Sequence, residues 1–341
     1  MNVGRPTPRL DERRRALCQL ASLAALAPFG ALAPLDATRA AGSDYPSQPI
    51  TIVVVYPPGG GADIVARDLG RRMTEAWNVP VVVENRPGAG TTLAAAHVAK
   101  ADPNGYTLLM TDVSFAIAPA LYKKLPYDTV RDLAPISLTN GVADALVVNR
   151  DVPVHTVQEL IAYAKRNPGK LTYASAGNGT LNHLAPEIFK KMAGIDMTHV
   201  PYKGAIAALN DVMAGRCQVY VGALVSVLPQ LHDGKIRVLA VTGAHRSELL
   251  PDVPTVAESG LPGYDAEAWY GLLAPARTPP AIIDKLNREV ASIMTQPDFR
   301  KRMVAQGNEV IAGTPAEFAR FLQTEIAKWR TAVATAGASV D

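Results

Sequence analysis

The feature that most constrains this chain is the alternation of short apolar, β-branched runs with segments of helical periodicity. Ile50–Tyr56 (ITIVVVY) lacks polar alternation, which predicts a strand buried on both faces. The next segment, Ala62–Trp77, carries apolar residues at helical spacing. The same alternation continues through Tyr106–Met110 and resumes after Val142–Val148. Strands alternating with helices form mostly parallel sheets covered by helices, so two such series predict an α/β fold with two halves.

The C-terminal part has one strand-like run, Trp269–Ala274, followed by three helical segments. A tail with a single strand must pack on an existing sheet. Packing on the first half makes that domain discontinuous, with the chain crossing between the halves at Val142–Val148 and at Trp269–Ala274. The predicted boundaries are residues 45–145 plus 268–341 for domain 1 and residues 146–267 for domain 2.

Residues 1–40 predict an export signal. Arg13–Arg15 form a positive n-region, Ala16–Leu35 is apolar and uncharged, and small residues around Ala40 suit cleavage. The arginine run also suits a twin-arginine signal. An uncleaved membrane anchor is the alternative, since about 20 apolar residues can span a bilayer. We expect cleavage and an exported protein.

Charge and cysteine content exclude several classes of partner. Residues 1–40 hold six of the 34 Lys and Arg and three of the 31 Asp and Glu, so the rest of the chain has 28 of each sign. The mature chain is therefore neutral, which argues against a nucleic-acid partner. Beyond the leader only Cys217 remains, and the six histidines show no metal spacing. We expect no disulfide, no metal site and no cofactor.

Four connections between a strand and the following helix are rich in glycine or hydroxyl residues. Such connections gather at the carboxyl ends of parallel strands, where ligands bind. Each presents N–H groups at a helix N-terminus, which favour an anion, and glycine lets the backbone approach closely. These residues predict a site that binds a carboxylate mainly through backbone N–H and hydroxyl donors. The four connections are Pro57–Asp63, Asn85–Thr92, Thr111–Ser114 and Ser175–Thr180.

Structural interpretations of these residues remain open. Gly59–Gly61 could be only a tight turn and Asp63 only a helix cap. Asp112 would repel an anion bound near Ser114. Lys203, at a strand end, either reaches the cleft or is solvated.

Enzyme motifs are incomplete in this sequence. Ile64 stands where a GxGxxG fingerprint needs its third glycine, and Tyr173 stands where a nucleophile elbow needs glycine. Ser175 with His183 from the following helix would be the pair of a hydrolase. We therefore predict a binding protein that is not an enzyme, with the Ser175/His183 hydrolase as the alternative. Trp269 and Tyr270 either wall the cleft or belong to the core, and we favour the core for Trp269.

Nine stretches carry a family resemblance. They are Tyr45–Ile50, Pro57–Arg67, Val83–Gly90, Pro103–Leu109, Pro119–Tyr127, Tyr173–His183, Thr198–Gly204, Pro251–Gly263 and Trp269–Ala276. Through them, residues 45–341 resemble the extracytoplasmic solute receptors of the tripartite tricarboxylate transporter system, the Bug or TctC family.

The resemblance implies a periplasmic-binding-protein fold of the type II kind, with two α/β domains, a ligand cleft and two hinge strands. It implies a periplasmic, monomeric receptor that captures a small carboxylate (a di- or tricarboxylate, an acidic amino acid or an aromatic acid) by hinge closure. The receptor would deliver this ligand to the membrane permease subunits of the transporter. A sensor that feeds a signalling partner is the alternative.

The resemblance also supplies a candidate site. Carried over by motif, Pro58, Gly59, Gly60, Gly61 and Asp63 face Ser175, Asn178, Gly179 and Thr180, and the residue-level argument adds Ser114 and Lys203. Two positions depart from the family pattern. Many members carry an Asp where this chain has Gly222, and its absence argues against an amino-acid ligand. The third connection, with Asp112 and Phe115, is also atypical, which leaves the identity of the ligand open.

Overall fold

The computed structural model describes Met1 and residues 45–338. The predicted export signal therefore lies outside the described residues, apart from Met1. Between residues 45 and 338, no helix combines the length and the apolar character that crossing a bilayer requires.

Eleven strands and ten α-helices are assigned within residues 45–338. The strands are β1 (Ile50–Val54), β2 (Val81–Asn85), β3 (Thr107–Asp112), β4 (Leu133–Val142), β5 (Asp144–Asn149), β6 (Thr172–Ser175), β7 (Thr198–Pro201), β8 (Val219–Ala223), β9 (Ile236–Val241), β10 (Ala268–Pro275) and β11 (Asn308–Val310). The helices are α1 (Gly61–Trp77), α2 (Thr92–Ala99), α3 (Ser114–Leu121), α4 (Val157–Arg166), α5 (Leu181–Ala193), α6 (Ala205–Met213), α7 (Leu224–Leu231), α8 (Pro280–Met294), α9 (Pro297–Ala305) and α10 (Pro315–Ala336).

The strands form two mixed sheets. The first has the order β11-β4-β10-β3-β1-β2, and the second has the order β7-β6-β8-β5-β9. In the first sheet β1 is parallel to β2 and β3, whereas β10 is antiparallel to β3 and β4. In the second sheet β6 is parallel to β7 and β8, whereas β5 is antiparallel to β8 and β9. The sheets are thus less parallel than expected, because the strands that follow each crossing enter against the direction of their neighbours.

The first sheet is buried on both faces, as the unbroken apolar run of β1 predicts. Ile50, Ile52 and Val53 are fully buried, and helix α1 packs its apolar stripe on the sheet. The C-terminal helix α10 completes this core with Phe318, whose ring occupies the space where a Cβ on Gly271 would lie only 2.3 Å from its Cζ. Each large apolar side chain buried here contributes roughly 1.5–3 kcal/mol to folding.

The chain passes between the sheets at two neighbouring places. Strand β4 ends at Val142 and β5 begins at Asp144, so Ala143 alone separates them. The return follows β9, and the N–H of Thr242 donates to the carbonyl of Asp144 (3.0 Å). Strand β10 lies wholly in the first sheet, so the return crossing precedes Ala268 instead of lying within Trp269–Ala274.

The described residues of both halves, 45–338, belong to one compact unit. The predicted division into residues 45–145 plus 268–341 and residues 146–267 follows the partition of the strands between the sheets, and as a division into domains it stays a prediction.

Candidate functional site

A cavity of about 350 Å³, which we name the main cavity, lies where the N-termini of four helices meet. Helices α1, α5, α6 and α7 contribute residues near their N-termini to its lining. Helix α1 follows β1 of the first sheet, whereas α5, α6 and α7 follow β6, β7 and β8 of the second. The N-cap residues are Gly60, Thr180, Gly204 and Ala223, and none of them makes a side-chain capping hydrogen bond. The first N–H groups of a helix have no partner within the helix, so these ends offer donors and the positive end of the helix dipole to the cavity.

Helices away from the cavity include two that are capped by their own side chains. Thr156 accepts from the N–H of Glu159 at the start of α4, and Thr314 forms a capping box with Glu317 at the start of α10. Helices α2, α3, α8 and α9 also lack a side-chain cap, so the distinctive feature of the cavity is that four uncapped ends meet at one place.

A second cavity of about 620 Å³ lies beside the first, between loops of the two halves. Gly88 and Gly90 line it from one side, and Gly177 and Asn178 line it from the other. The loops are close: a Cβ on Gly90 would lie 2.6 Å from the carbonyl oxygen of Asn178. The two halves therefore meet over the cavities in this structure.

Some residues of the first predicted loop line the main cavity, and others hold the loop in place. Pro58, Gly60 and Gly61 line the main cavity. Gly59 adopts a φ of +88°, which favours glycine, and its N–H donates to Asp63 Oδ2 (2.9 Å). Gly59 and Asp63 thus lie in the support of the loop, outside the lining of either cavity.

Asp63 is the anchor of this loop. Its carboxylate, 2% exposed, also accepts from Arg67 Nε (2.9 Å) and from Asn85 Nδ2 (2.8 Å). Burial alone would raise the pKa of Asp63, but the hydrogen bonds from Arg67, Gly59 and Asn85 outweigh it and hold the pKa below its ordinary value.

The loop Ser175–Thr180 is also only partly exposed to a cavity. Asn178 and Thr180 line the second cavity, whereas Ser175 is fully buried. The N–H of Gly179 donates to His183 Nδ1 (3.3 Å), so that donor is used within the structure.

The hydrolase alternative predicts that Ser175 pairs with His183, but in the structure Ser175 contacts a different histidine. Ser175 Oγ lies 2.6 Å from Nε2 of His199, and His183 instead stacks on the His199 ring with centroids 4.2 Å apart. Burial and the neighbouring His183 lower the pKa of His199 to about 4, so this ring is neutral at physiological pH.

Ser114 and Lys203 have different surroundings. Ser114 is fully buried and donates its N–H to Asp112 Oδ1 (3.1 Å), and Tyr56 donates its hydroxyl to Asp112 Oδ2 (2.8 Å). Ser114 therefore orients Asp112 and does not itself line either cavity. Lys203 lines both cavities, and within the described lining it is the one side chain with a positive charge.

Sequence reasoning missed several residues of the main cavity. Besides the helix ends, the cavity is lined by two buried acids and three tyrosines, which are Asp112, Asp144, Tyr56, Tyr220 and Tyr270. Asn182, in the first turn of α5, also lines it. One feature could have revealed Asp144, which is a lone carboxyl in an apolar strand (ALVV follows it). Trp269 is buried in the core, as expected, where its Nε1 donates to Glu325 (2.9 Å).

The family model for the tripartite tricarboxylate transporter family receptor, TctC, matches residues 65–337. The chain belongs to the TctC family. This membership confirms the resemblance seen in the sequence. The receptor family is one of binding proteins and not of enzymes, so the Ser175/His183 hydrolase is set aside.

Solved structures of similar proteins confirm the fold of this TctC-family receptor. Rpa4515 of R. palustris with adipate is 35% identical, with a TM-score of 0.84 over 87% of this chain and 100% of that one. The periplasmic binding protein BugD is 33% identical, with a TM-score of 0.82 over 86% and 99% of the two chains. MatC of Rhodopseudomonas palustris with bound malate is 33% identical, with a TM-score of 0.81 over 85% and 100%. The protein is thus a TctC-family periplasmic binding protein with two mixed α/β sheets.

Proposed function

We propose that this receptor captures a small organic carboxylate in the main cavity and delivers it to the permease subunits of a tripartite transporter. The observation that carries the proposal is the meeting of four helix N-termini without side-chain caps around one cavity. Two similar receptors hold adipate and malate, which are both carboxylates.

The chemistry of the cavity suits one carboxylate group at the helix ends. Hydrogen bonds from backbone N–H groups to an ionised oxygen are charge-assisted and roughly twice as strong as neutral ones. Gly60 and Gly61 bring the start of α1 close without a side chain in between, and Lys203 adds a positive charge at the edge. The volume of about 350 Å³ is within the range of small-molecule sites.

Binding would be coupled to closure of the two halves. Helix α1 belongs to the half with the first sheet, and helices α5, α6 and α7 belong to the other. A ligand that contacts both sets of helix ends binds the closed arrangement better than an open one, and this difference in affinity shifts the population toward closure.

The test is titration calorimetry with thermal shift against succinate, adipate, citrate and benzoate, with the corresponding methyl esters as neutral controls. We expect at least one acid to bind and to raise the melting temperature, and its ester to lose both effects. If every acid fails while a neutral ester or sugar binds tightly, the proposal is wrong.

A further inference from the structure

The lining of the main cavity also carries negative charge. Asp112 and Asp144 both line it, each less than a tenth exposed, and neither is matched by a cation there. The groups that act on Asp144 through charge are themselves acids, Glu267 and Asp112. The ionised form of either acid would repel a second carboxylate of a ligand placed beside it.

Two polar atoms beside these acids lack a partner among the described residues. Asp144 is 3% exposed, and its Oδ2 accepts no hydrogen bond. The hydroxyl of Tyr220, a fully buried residue, is also unpartnered. A buried polar group without a partner is costly, so such groups in a ligand cavity indicate what the ligand supplies. Here the carboxyl oxygen requires a donor.

Gly222 explains how Tyr220 reaches this position. A Cβ on Gly222 would lie 2.2–2.4 Å from the ring and hydroxyl atoms of Tyr220, so the ring lies over the bare glycine backbone. Asp144 on β5 pairs with Ala223 on β8, the next residue along. An acid is therefore absent at position 222, but the adjacent strand supplies one.

We propose that the ligand of this receptor bears an ammonium group, which binds between Asp144, Asp112 and the tyrosines, while its carboxylate binds at the helix ends. This inference rests on the proposed function and narrows it to amino-substituted carboxylates. The N–H donors of an ammonium group satisfy Asp144 Oδ2 and the hydroxyl oxygen of Tyr220. The faces of tyrosine rings attract a cation as well, and Tyr56 and Tyr270 complete the lining.

The protonation of Asp144 supplies a signature of this binding. Burial, followed by the charges of Glu267 and Asp112, raises the pKa of Asp144 well above its ordinary value. An ammonium ion at Asp144 favours the ionised carboxylate, so binding releases a proton. The titratable groups around Asp144 are Asp112, Glu267, Tyr220, Tyr264 and Tyr270.

The experiment compares ligands that differ only in one substituent: L-aspartate, L-malate and succinate; L-glutamate, 2-hydroxyglutarate and glutarate; 4-aminobutanoate, 4-hydroxybutanoate and butanoate. We expect an amino member to bind at least about tenfold tighter than its unsubstituted partner, as hydrogen bonds to charged groups warrant. In calorimetry its binding enthalpy should be more exothermic in Tris than in phosphate, because Tris takes up the released proton.

Two variants assign the effect to Asp144. Asp144→Asn should abolish the preference for the amino member and the dependence on buffer, whereas Asp252→Asn, at an exposed residue, should preserve both. Asp144→Asn should also leave the melting temperature of the free receptor unchanged or higher, since it removes an unpartnered buried acid. A variant that melts lower and keeps the preference would assign Asp144 to the fold.

The outcomes separate this inference from the proposed function. Tight binding of the hydroxy or unsubstituted members, with no preference for the amino member, would overturn the ammonium site and leave a carboxylate receptor. Failure of every compound in all three sets, while a neutral solute binds, would overturn both.

Discussion

At the scale of single residues, acids in this receptor have two different roles. Asp63 receives three hydrogen bonds and fixes the first loop, and its pKa is held down by them against the effect of burial. For Asp112, burial dominates and raises the pKa to about 6, although Tyr56 and Ser114 donate to it. The difference follows from the guanidinium of Arg67, which Asp112 lacks.

We predict that Asp112 makes the free receptor less stable as the pH rises. Its pKa in the folded state, about 6, lies above that of the unfolded chain, so the folded state binds more protons between the two values. The free energy of unfolding therefore falls as the pH rises through that window, by on the order of 1 kcal/mol from Asp112 between pH 5 and pH 8. Urea unfolding at both pH values should show a smaller fall in Asp112→Asn than in the parent. An unchanged fall would contradict this assignment.

At the scale of helices and strands, much of the pattern could be predicted from sequence. The apolar runs predicted β1 and β10, and helical spacing predicted α1 to within one residue of its observed start. Motif positions placed Gly60 and Asn178 at the cavities, because helix N-termini follow parallel strands.

Strand β4 could not be predicted, because its sequence (LAPISLTNGV) has neither an apolar run nor alternation. It is a strand because its buried polar side chains find distant partners: Thr139 donates to the carbonyl of Tyr270 (2.9 Å) and Asn140 to Asn308 (2.8 Å). Tyr220 escaped prediction for a similar reason, since its place depends on bare backbone at Gly222. Helix α4 is different, because the capping pattern of Thr156 and Glu159 is local and is sufficient to predict where the helix begins.

We predict that capping α1 improves the helix and destroys the site. Gly60 has an extended conformation (φ −77°, ψ 167°), and a Cβ there meets no atom closer than 3.9 Å. Gly60→Asp should therefore be tolerated and should raise the free energy of unfolding by a few tenths of a kcal/mol. Its carboxylate would occupy the donors and repel the ligand, so affinity for any bound carboxylate should fall at least about tenfold.

The matched control is Gly60→Ala, which adds only the Cβ and should cost much less affinity in the same calorimetric titration. Equal losses in both variants would mean that bulk, and not charge, is what the helix end excludes.

At the scale of the whole molecule, loops of the two halves contact each other, as the proposed closure requires. Gly59 approaches Ile206, and Gly204 approaches Pro57, with a Cβ on either glycine about 3.0–3.1 Å from its neighbour. Helix α10 also packs against α5, so the last helix bridges both halves beside the cavities. The contacts between the halves therefore include the loops and one long helix.

We predict that a bound carboxylate compacts the receptor. The radius of gyration from small-angle scattering should decrease at saturating ligand, since the ligand stabilises the closed arrangement relative to open ones. Ile206→Asp, which puts a charge against the Gly59 loop, should raise the radius of the free protein. Identical scattering curves with and without ligand would exclude closure as the mechanism.

Asp144 follows the single residue that separates β4 from β5, and the N–H of Ala268, at the start of the returning strand, acts to lower its pKa against the effect of burial. Asp144 therefore lies beside the crossing between the two sheets. If the halves part as proposed, by rotation about this crossing, the displacement is smallest beside Asp144 and larger at exposed Ile206. A ligand would then lose its contacts near Ile206 before its contacts with Asp144, and its release would follow that order.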